Sequence, residues 1–161
     1  MNRCLILSLA ITLLIFFGSS STSYSGPMQD GFDAYKREDF KESFKYFQLA
    51  AEQGDALAQL LLGLMYDDGK GIIQDYTEAV KWYRLSAELG NASAQSNLGL
   101  MYAEGQGVAQ DYLLAYMWFD LASSNGSKNG LEGLKMMENK MSLPQIEKAK
   151  EMARSWKPNK K

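Results

Sequence analysis

Residues 91–126 of this 161-residue chain repeat residues 55–90 almost position for position. Of the 36 aligned positions 17 are identical, where chance gives roughly two or three. The identities include Ala58/Ala94, Gln59/Gln95, Gly63/Gly99, Tyr66/Tyr102, Gly71/Gly107, Asp75/Asp111, Trp82/Trp118 and Gly90/Gly126. A unit this short cannot bury an apolar face alone, so the chain must be an array in which each copy covers the next. At the same offset of 36, residues 39–53 align with residues 75–89, sharing Asp39/Asp75, Glu42/Glu78, Leu49/Leu85 and Ala51/Ala87. The repeats are therefore expected at about 28–54, 55–90 and 91–126, with a degenerate copy over 127–156.

Each copy divides into two helices around a glycine-rich turn. The spacing predicts helix A over residues 55–66, with Ala58, Leu62, Met65 and Tyr66 on one face. Gly63 and Gly99 lie beside that face, and glycine inside a helix costs about 1 kcal/mol relative to alanine, so a close helix contact is expected there. The turn reads D-D-G-K-G-I-I-Q in one copy and A-E-G-Q-G-V-A-Q in the next, and its Gly-x-Gly pairs permit positive φ. Helix B is predicted over residues 75–89. Asp75 stands as N-cap with Glu78 three residues on, as Asp39 stands with Glu42, a capping-box variant. Ala79, Trp82, Tyr83, Ser86 and Ala87 form its buried face, and Gly90 ends it. Trp82, Trp118 and Tyr46 share one repeat position and are expected in the core. Before these copies, residues 27–37 read as a short helix turning Phe32 and Tyr35 inward. After them Gly99 and Tyr102 give way to Lys135 and Glu138, as in a terminal repeat whose outer face meets water. Ser142 with Gln145 starts a last helix whose stripe of Ile146, Ala149, Met152, Ala153 and Trp156 suits it as a cap over the array.

The N-terminus reads as a targeting segment. Arg3 precedes an apolar run over residues 4–17, and residues 18–25 are small and polar, the pattern of a secretory signal peptide cleaved after Ser20 or Ser25. An apolar run of this length is short for a membrane span, so any membrane association rests on an uncleaved leader. The domain is then residues 26–161, secreted or periplasmic. Removing the leader removes Cys4, the chain's 1 cysteine, and the chain has 0 histidines. That composition excludes disulfides in the mature chain and the residues that dominate zinc sites and imidazole or thiol catalysis. The net charge of -2 argues against a nucleic-acid partner, which needs a concentrated basic field.

The pattern A-x-A-Q-x-x-L-G-x-x-Y-x-x-G-x-G-(I/V)-x-Q-D-Y-x-x-A-x-x-W-(Y/F)-x-x-A-x-x-x-G, carried at residues 56–90 and 92–126, closely resembles the Sel-one-like repeat, a relative of the tetratricopeptide repeat. The resemblance covers about residues 30–156. It implies an all-α fold, a short α/α solenoid of antiparallel helix pairs, serving as an adaptor or scaffold for protein partners in bacterial envelopes or secreted fractions. Ser86 and Ser123 depart from the usual alanine, and the Arg37-Glu38 connection of the first repeat is as short as a plain tetratricopeptide turn.

No residue pattern nominates an active site, a cofactor or a metal. Asp67 and Glu78 stand where the first and twelfth ligands of a calcium loop would, but Gly69 and Gly71 occupy the third and fifth positions and Ile72 the sharp turn. A glycan hydrolase of the envelope needs only two carboxylates at suitable separation, and Glu52, Glu88 and Glu104 are available for it, although surface solvation explains them better; a membrane-tethered structural protein is the other alternative. The leading expectation is a protein- or peptide-binding groove. In tetratricopeptide-like solenoids helix A lines the concave side, which places Leu60, Leu64, Ser96, Asn97 and Leu100 as partner-binding candidates, with Asp67, Asp68 and Glu104 at the rim.

Overall fold

The computed structural model describes residues 26–157, and these form eight α-helices. The expected leader and its two cleavage positions lie outside the described residues. The described chain is all-α, built of successive antiparallel helix pairs of the α/α solenoid class. Two compact units divide it, one ending at Asp75 and the other starting at Tyr76.

The first unit holds α1 (Pro27–Lys36), α2 (Phe40–Glu52) and α3 (Ala56–Asp68), with α2 packed against both others. Phe32 and Tyr35 of α1 are buried as expected, and Phe32 meets Phe47 edge to face at 5.3 Å. The short connection after α1 is possible because Glu38 adopts φ 62, a left-handed turn without glycine. In each copy one backbone bond closes the turn: Asp39 donates to Ala34 O, Asp75 to Tyr66 O and Asp111 to Tyr102 O, each at 3.0 Å. That correspondence sets Ala34 against Tyr66 and shows the first turn to be four residues shorter, five steps of chain against nine. It also sets Gly31, three residues earlier, against Gly63 and Gly99, a match that the offset of 36 hides.

The second unit holds α4 (Tyr76–Glu88), α5 (Ala92–Glu104), α6 (Tyr112–Ser124), α7 (Lys128–Glu138) and α8 (Leu143–Ser155). Here α5 packs between α4 and α6, α7 covers α6 and α5, and α8 closes over α6. Of the expected stripe on α8, Ile146, Ala149 and Ala153 are buried, while Met152 and Trp156 are half-buried.

Side-chain caps also form at positions the sequence reading does not single out. Asp55 accepts from Ala58 N at 2.8 Å, Asn91 from Ala94 N at 3.0 Å and Asp111 from Leu114 N at 3.0 Å. At α2 only half of the expected capping box exists. Asp39 Oδ1 accepts from Glu42 N at 3.1 Å, but the Asp39 N–H is already committed to Ala34 O, so the Glu42 carboxylate turns to Arg37 at 3.0 Å.

On helix B the expected Ala79, Tyr83, Ser86 and Ala87 are buried, and the expectation fails only at the position shared by Tyr46 and Trp82. Phe47, Tyr83 and Phe119, which share one repeat position, are all buried, whereas Tyr46 and Trp82, one residue earlier, are half-buried. One residue turns the helix by about 100°, enough to carry the neighbouring ring out of the core. Trp118 is buried because Trp156 of α8 stacks edge to face on it at 5.5 Å. Glycines on helix A make room for this inner ring: a Cβ at Gly31 would fall 2.6 Å from the Phe47 ring, and one at Gly99 2.9 Å from Phe119. The close contact expected at Gly99 is thus a helix A backbone lying on the aromatic of its own helix B.

Candidate functional site

The turns between A and B join one repeat to the preceding one. Gly71 has φ 78 and sits against the carbonyl of Phe40, the first residue of α2; Gly107 has φ 68 and sits against the carbonyl of Tyr76, the first residue of α4. The second glycine of each Gly-x-Gly therefore has two requirements, a left-handed backbone and no side chain. Gln74 and Gln110 fold back to donate to Asp67 O at 2.6 Å and Ala103 O at 2.9 Å, satisfying carbonyls near the ends of α3 and α5. Gln59 and Gln95, also identical in both copies, reach backward to Ala51 O at 3.2 Å and Ala87 O at 3.1 Å, in each case near the end of the preceding helix B. Sequence reasoning assigned these four glutamines no job, although a polar residue kept in both copies, inside helix A at Gln59 and Gln95 and at the end of the turn at Gln74 and Gln110, is the signal that would have found them.

Two differences mark the copies. In the first unit Lys70 donates to the Tyr35 hydroxyl at 2.6 Å and lies 4.6 Å and 4.4 Å from the Tyr35 and Phe40 ring centres, a cation held on two aromatic rings. In the second unit Arg84 of α4 bonds the Tyr102 hydroxyl of α5, at 2.5 Å. Gln95 Oε1 accepts from Asn125 Nδ2 at 2.9 Å, while Gln59 Oε1 is buried with no partner.

The five groove candidates separate by burial. Leu60 and Leu64 are 3% and 2% exposed, and the run from Ala58 to Met65 of α3 is buried throughout. Ser96 is buried too, and its hydroxyl is taken up by Ala92 O at 3.1 Å and Ser127 Oγ at 2.8 Å, which ties α5 to the cap of α7. Asn97 and Leu100 are half-buried, beside exposed Ser93 and Glu104. Asp67, expected at the rim, is buried within α3; Asp68 is half-buried. Between its Asn91 cap and Glu104, α5 carries no charged side chain.

Charge chemistry is sparse. Glu52 and Glu104 are exposed and Glu88 is half-buried. The Asp33 carboxyl is lowered, chiefly by the Gln29 amide that donates to it, which is opposite to what a general acid requires. Tyr116 is raised by burial, and Lys150 by its hydrogen bond to Glu147. Among the described residues no cluster of three or more acidic, histidine or cysteine side chains is placed to hold a metal ion, and no helix is long and apolar enough to cross a membrane.

Successive helix pairs joined by glycine turns define a helical-repeat protein. The chain belongs to the Sel1 repeat family, which it matches over residues 25–55, 56–91 and 92–127. No curated protein matches it. Among solved structures it is similar to c5321, described as a protective antigen present in uropathogenic Escherichia coli strains displaying an SLR fold, at 31% identity and TM-score 0.75 over 95% of this chain and 32% of that one. It is similar to a Sel1 repeat protein from Oxalobacter formigenes, at 31% identity and TM-score 0.65 over 80% of this chain and 56% of that one. The chain thus spans about a third of the first of these proteins and just over half of the second. Helicobacter pylori cysteine rich protein B shares the fold, at 22% identity and TM-score 0.55 over 81% of this chain and 96% of that one. Repeats of this family commonly mediate protein–protein interaction, and its scaffolds are generally non-enzymatic adaptors.

Proposed function

We propose that this protein is a binding adaptor of the secretory or envelope compartment, not an enzyme, and that it holds a protein or peptide on the helix A side of its repeats. The observation that carries the reading is the division of labour within a repeat. The repeated glycines, glutamines and aromatics are committed to packing, whereas the half-exposed helix A positions Asn97 and Leu100 and the exposed Ser93 have no such role in the fold. A charge-free helix face with one leucine and short polar side chains suits an extended peptide or the apolar face of a partner's helix. Ser96, on the same helix, is the buried neighbour of that surface, and Leu60 and Leu64, at the corresponding positions of α3, are buried as well. The leader over residues 1–25 directs export, and the domain of residues 26–161 acts after its removal.

The test uses the exported chain as bait in an extract of the envelope that surrounds it, compared with the Leu100→Lys and Ser93→Lys variants after circular dichroism has shown both to be folded. A partner retained by the wild type and lost by both variants is the expected result. The same set of captured proteins from all three baits would overturn the assignment of this face. The mass of the exported chain separately checks the leader: a mature N-terminus just after Ser20 or Ser25 supports export, and an intact Met1 counts against it.

A further inference from the structure

The corner between α6 and α7 contains an Asn-Gly step whose chemistry the fold holds in check. Asn125 caps the C-terminus of α6 with its side chain exposed, and Gly126 follows at φ 86. Asparagine followed by glycine is the sequence most open to attack by the next backbone nitrogen on the side-chain carbonyl, because glycine puts no Cβ in the path. We propose that Asn125–Gly126 is a site of spontaneous deamidation, gated by the hydrogen bond from Asn125 to Gln95.

In that reaction the Gly126 nitrogen forms a bond to Asn125 Cγ while the Cγ–Nδ2 bond breaks. Ammonia departs with the proton of the Gly126 N–H, leaving a five-membered succinimide. Water then opens the ring at either carbonyl, giving aspartate or isoaspartate, with no oxidant or reductant involved. Three features of the folded corner oppose the first step. Asn125 Nδ2 is held by Gln95 Oε1 at 2.9 Å, and the Gly126 N–H is held by Ser123 O at 2.9 Å. The backbone of Asn125 stands at ψ 14, from which the nitrogen must swing far about ψ to reach Cγ. Attack therefore waits for the corner to open, and its rate reads that local opening. The product changes the structure as well. A carboxylate at position 125 has no N–H to give, so the fully buried Gln95 loses its donor and faces a negative charge instead.

A second Asn-Gly step supplies the internal control. Asn129–Gly130 lies in the first turn of α7, where Gly130 N donates to Ser127 Oγ at 3.2 Å and the Gly130 backbone is packed against Ala122 and Ser123. Trypsin cuts after Lys128 and puts the two steps on different peptides. The intact protein is incubated in mildly alkaline buffer, and the aspartate and isoaspartate forms of each peptide are followed by mass spectrometry. In the folded wild type Asn125 should convert faster than Asn129 and more slowly than in urea. Replacing Gln95 by methionine should speed Asn125 by about threefold to tenfold, the factor for an opening relieved of one hydrogen bond, and leave Asn129 unchanged. Equal rates at the two steps in the folded wild type, or an Asn125 rate as fast folded as in urea, would overturn the proposal. If Gln95→Met fails to fold, both steps accelerate together and the wild-type comparison alone decides. A folded Gln95→Met protein with an unchanged Asn125 rate also overturns it.

Discussion

At the scale of the residue, two positions that look alike in sequence do different work. Gly107 and Gly126 both have positive φ, but an added Cβ meets the Tyr76 carbonyl at the first and open space at the second. Gly126→Ala should therefore cost about 1 kcal/mol, the penalty of a left-handed backbone alone. Gly107→Ala carries an overlap with backbone in addition and should cost about 2 kcal/mol or more; equal urea midpoints for the two would refute the contact. The aromatics divide in the same way. Phe119→Ala empties a site lined by Gly99 and Gly133 and should cost about 3–5 kcal/mol. Trp82→Ala removes a half-buried ring and should cost about 1–2 kcal/mol. The inner ring was legible as an apolar position at helical spacing. Which of two adjacent aromatics faces inward was not, since helical phase is fixed only by the partner helix.

At the scale of the element, the Gly-x-Gly turns were legible in the chain, while most of the caps emerge from the structure. Asp55, Asn91, Asp111 and Ser127 each accept a hydrogen bond from the first turn of a helix. Replacing Asp55 by alanine should lower stability by about 1 kcal/mol, checked by thermal melting. The contact of α8 with α6 predicts a pH dependence. Tyr116 of α6 is raised by burial, and Lys150 of α8, which acts on it electrostatically, is raised mainly by Glu147. A folded-state value above the unfolded one gives stability that is complete below about pH 10 and is lost as pH rises through the folded value. Stability should thus fall in alkali, and Tyr116→Phe should flatten part of that fall in unfolding midpoints measured on either side of pH 10. An unchanged slope would show that the phenol does not contribute. The box at α2 shows where element-level reading stops. Asp39 and Glu42 had the right spacing, but the Asp39 N–H was claimed by the carbonyl of Ala34 in the preceding helix.

At the scale of the whole molecule, the repeat determines the fold class and leaves the partner open. The purified protein should give a circular dichroism spectrum dominated by helix, and strand character would contradict both units. The fold follows from sequence because a 36-residue period with glycine, tyrosine and tryptophan in step admits helix pairs and little else. The Gly-x-Gly turns were also legible, though only as flexible points. Their contact with the first residue of the preceding helix B depends on residues far away in the chain, which local spacing cannot supply. The groove candidates mark the same boundary. Spacing nominated Leu60, Leu64, Ser96, Asn97 and Leu100 together on helix A, but burial differs among them: the first three are buried, and Asn97 and Leu100 are half-buried. Sequence by itself determined the array and the lack of histidine, because these are properties of local spacing and composition. Tertiary structure decided which aromatic rings are fully covered and which glutamine is satisfied, because burial and hydrogen-bond satisfaction belong to pairs of segments rather than to one.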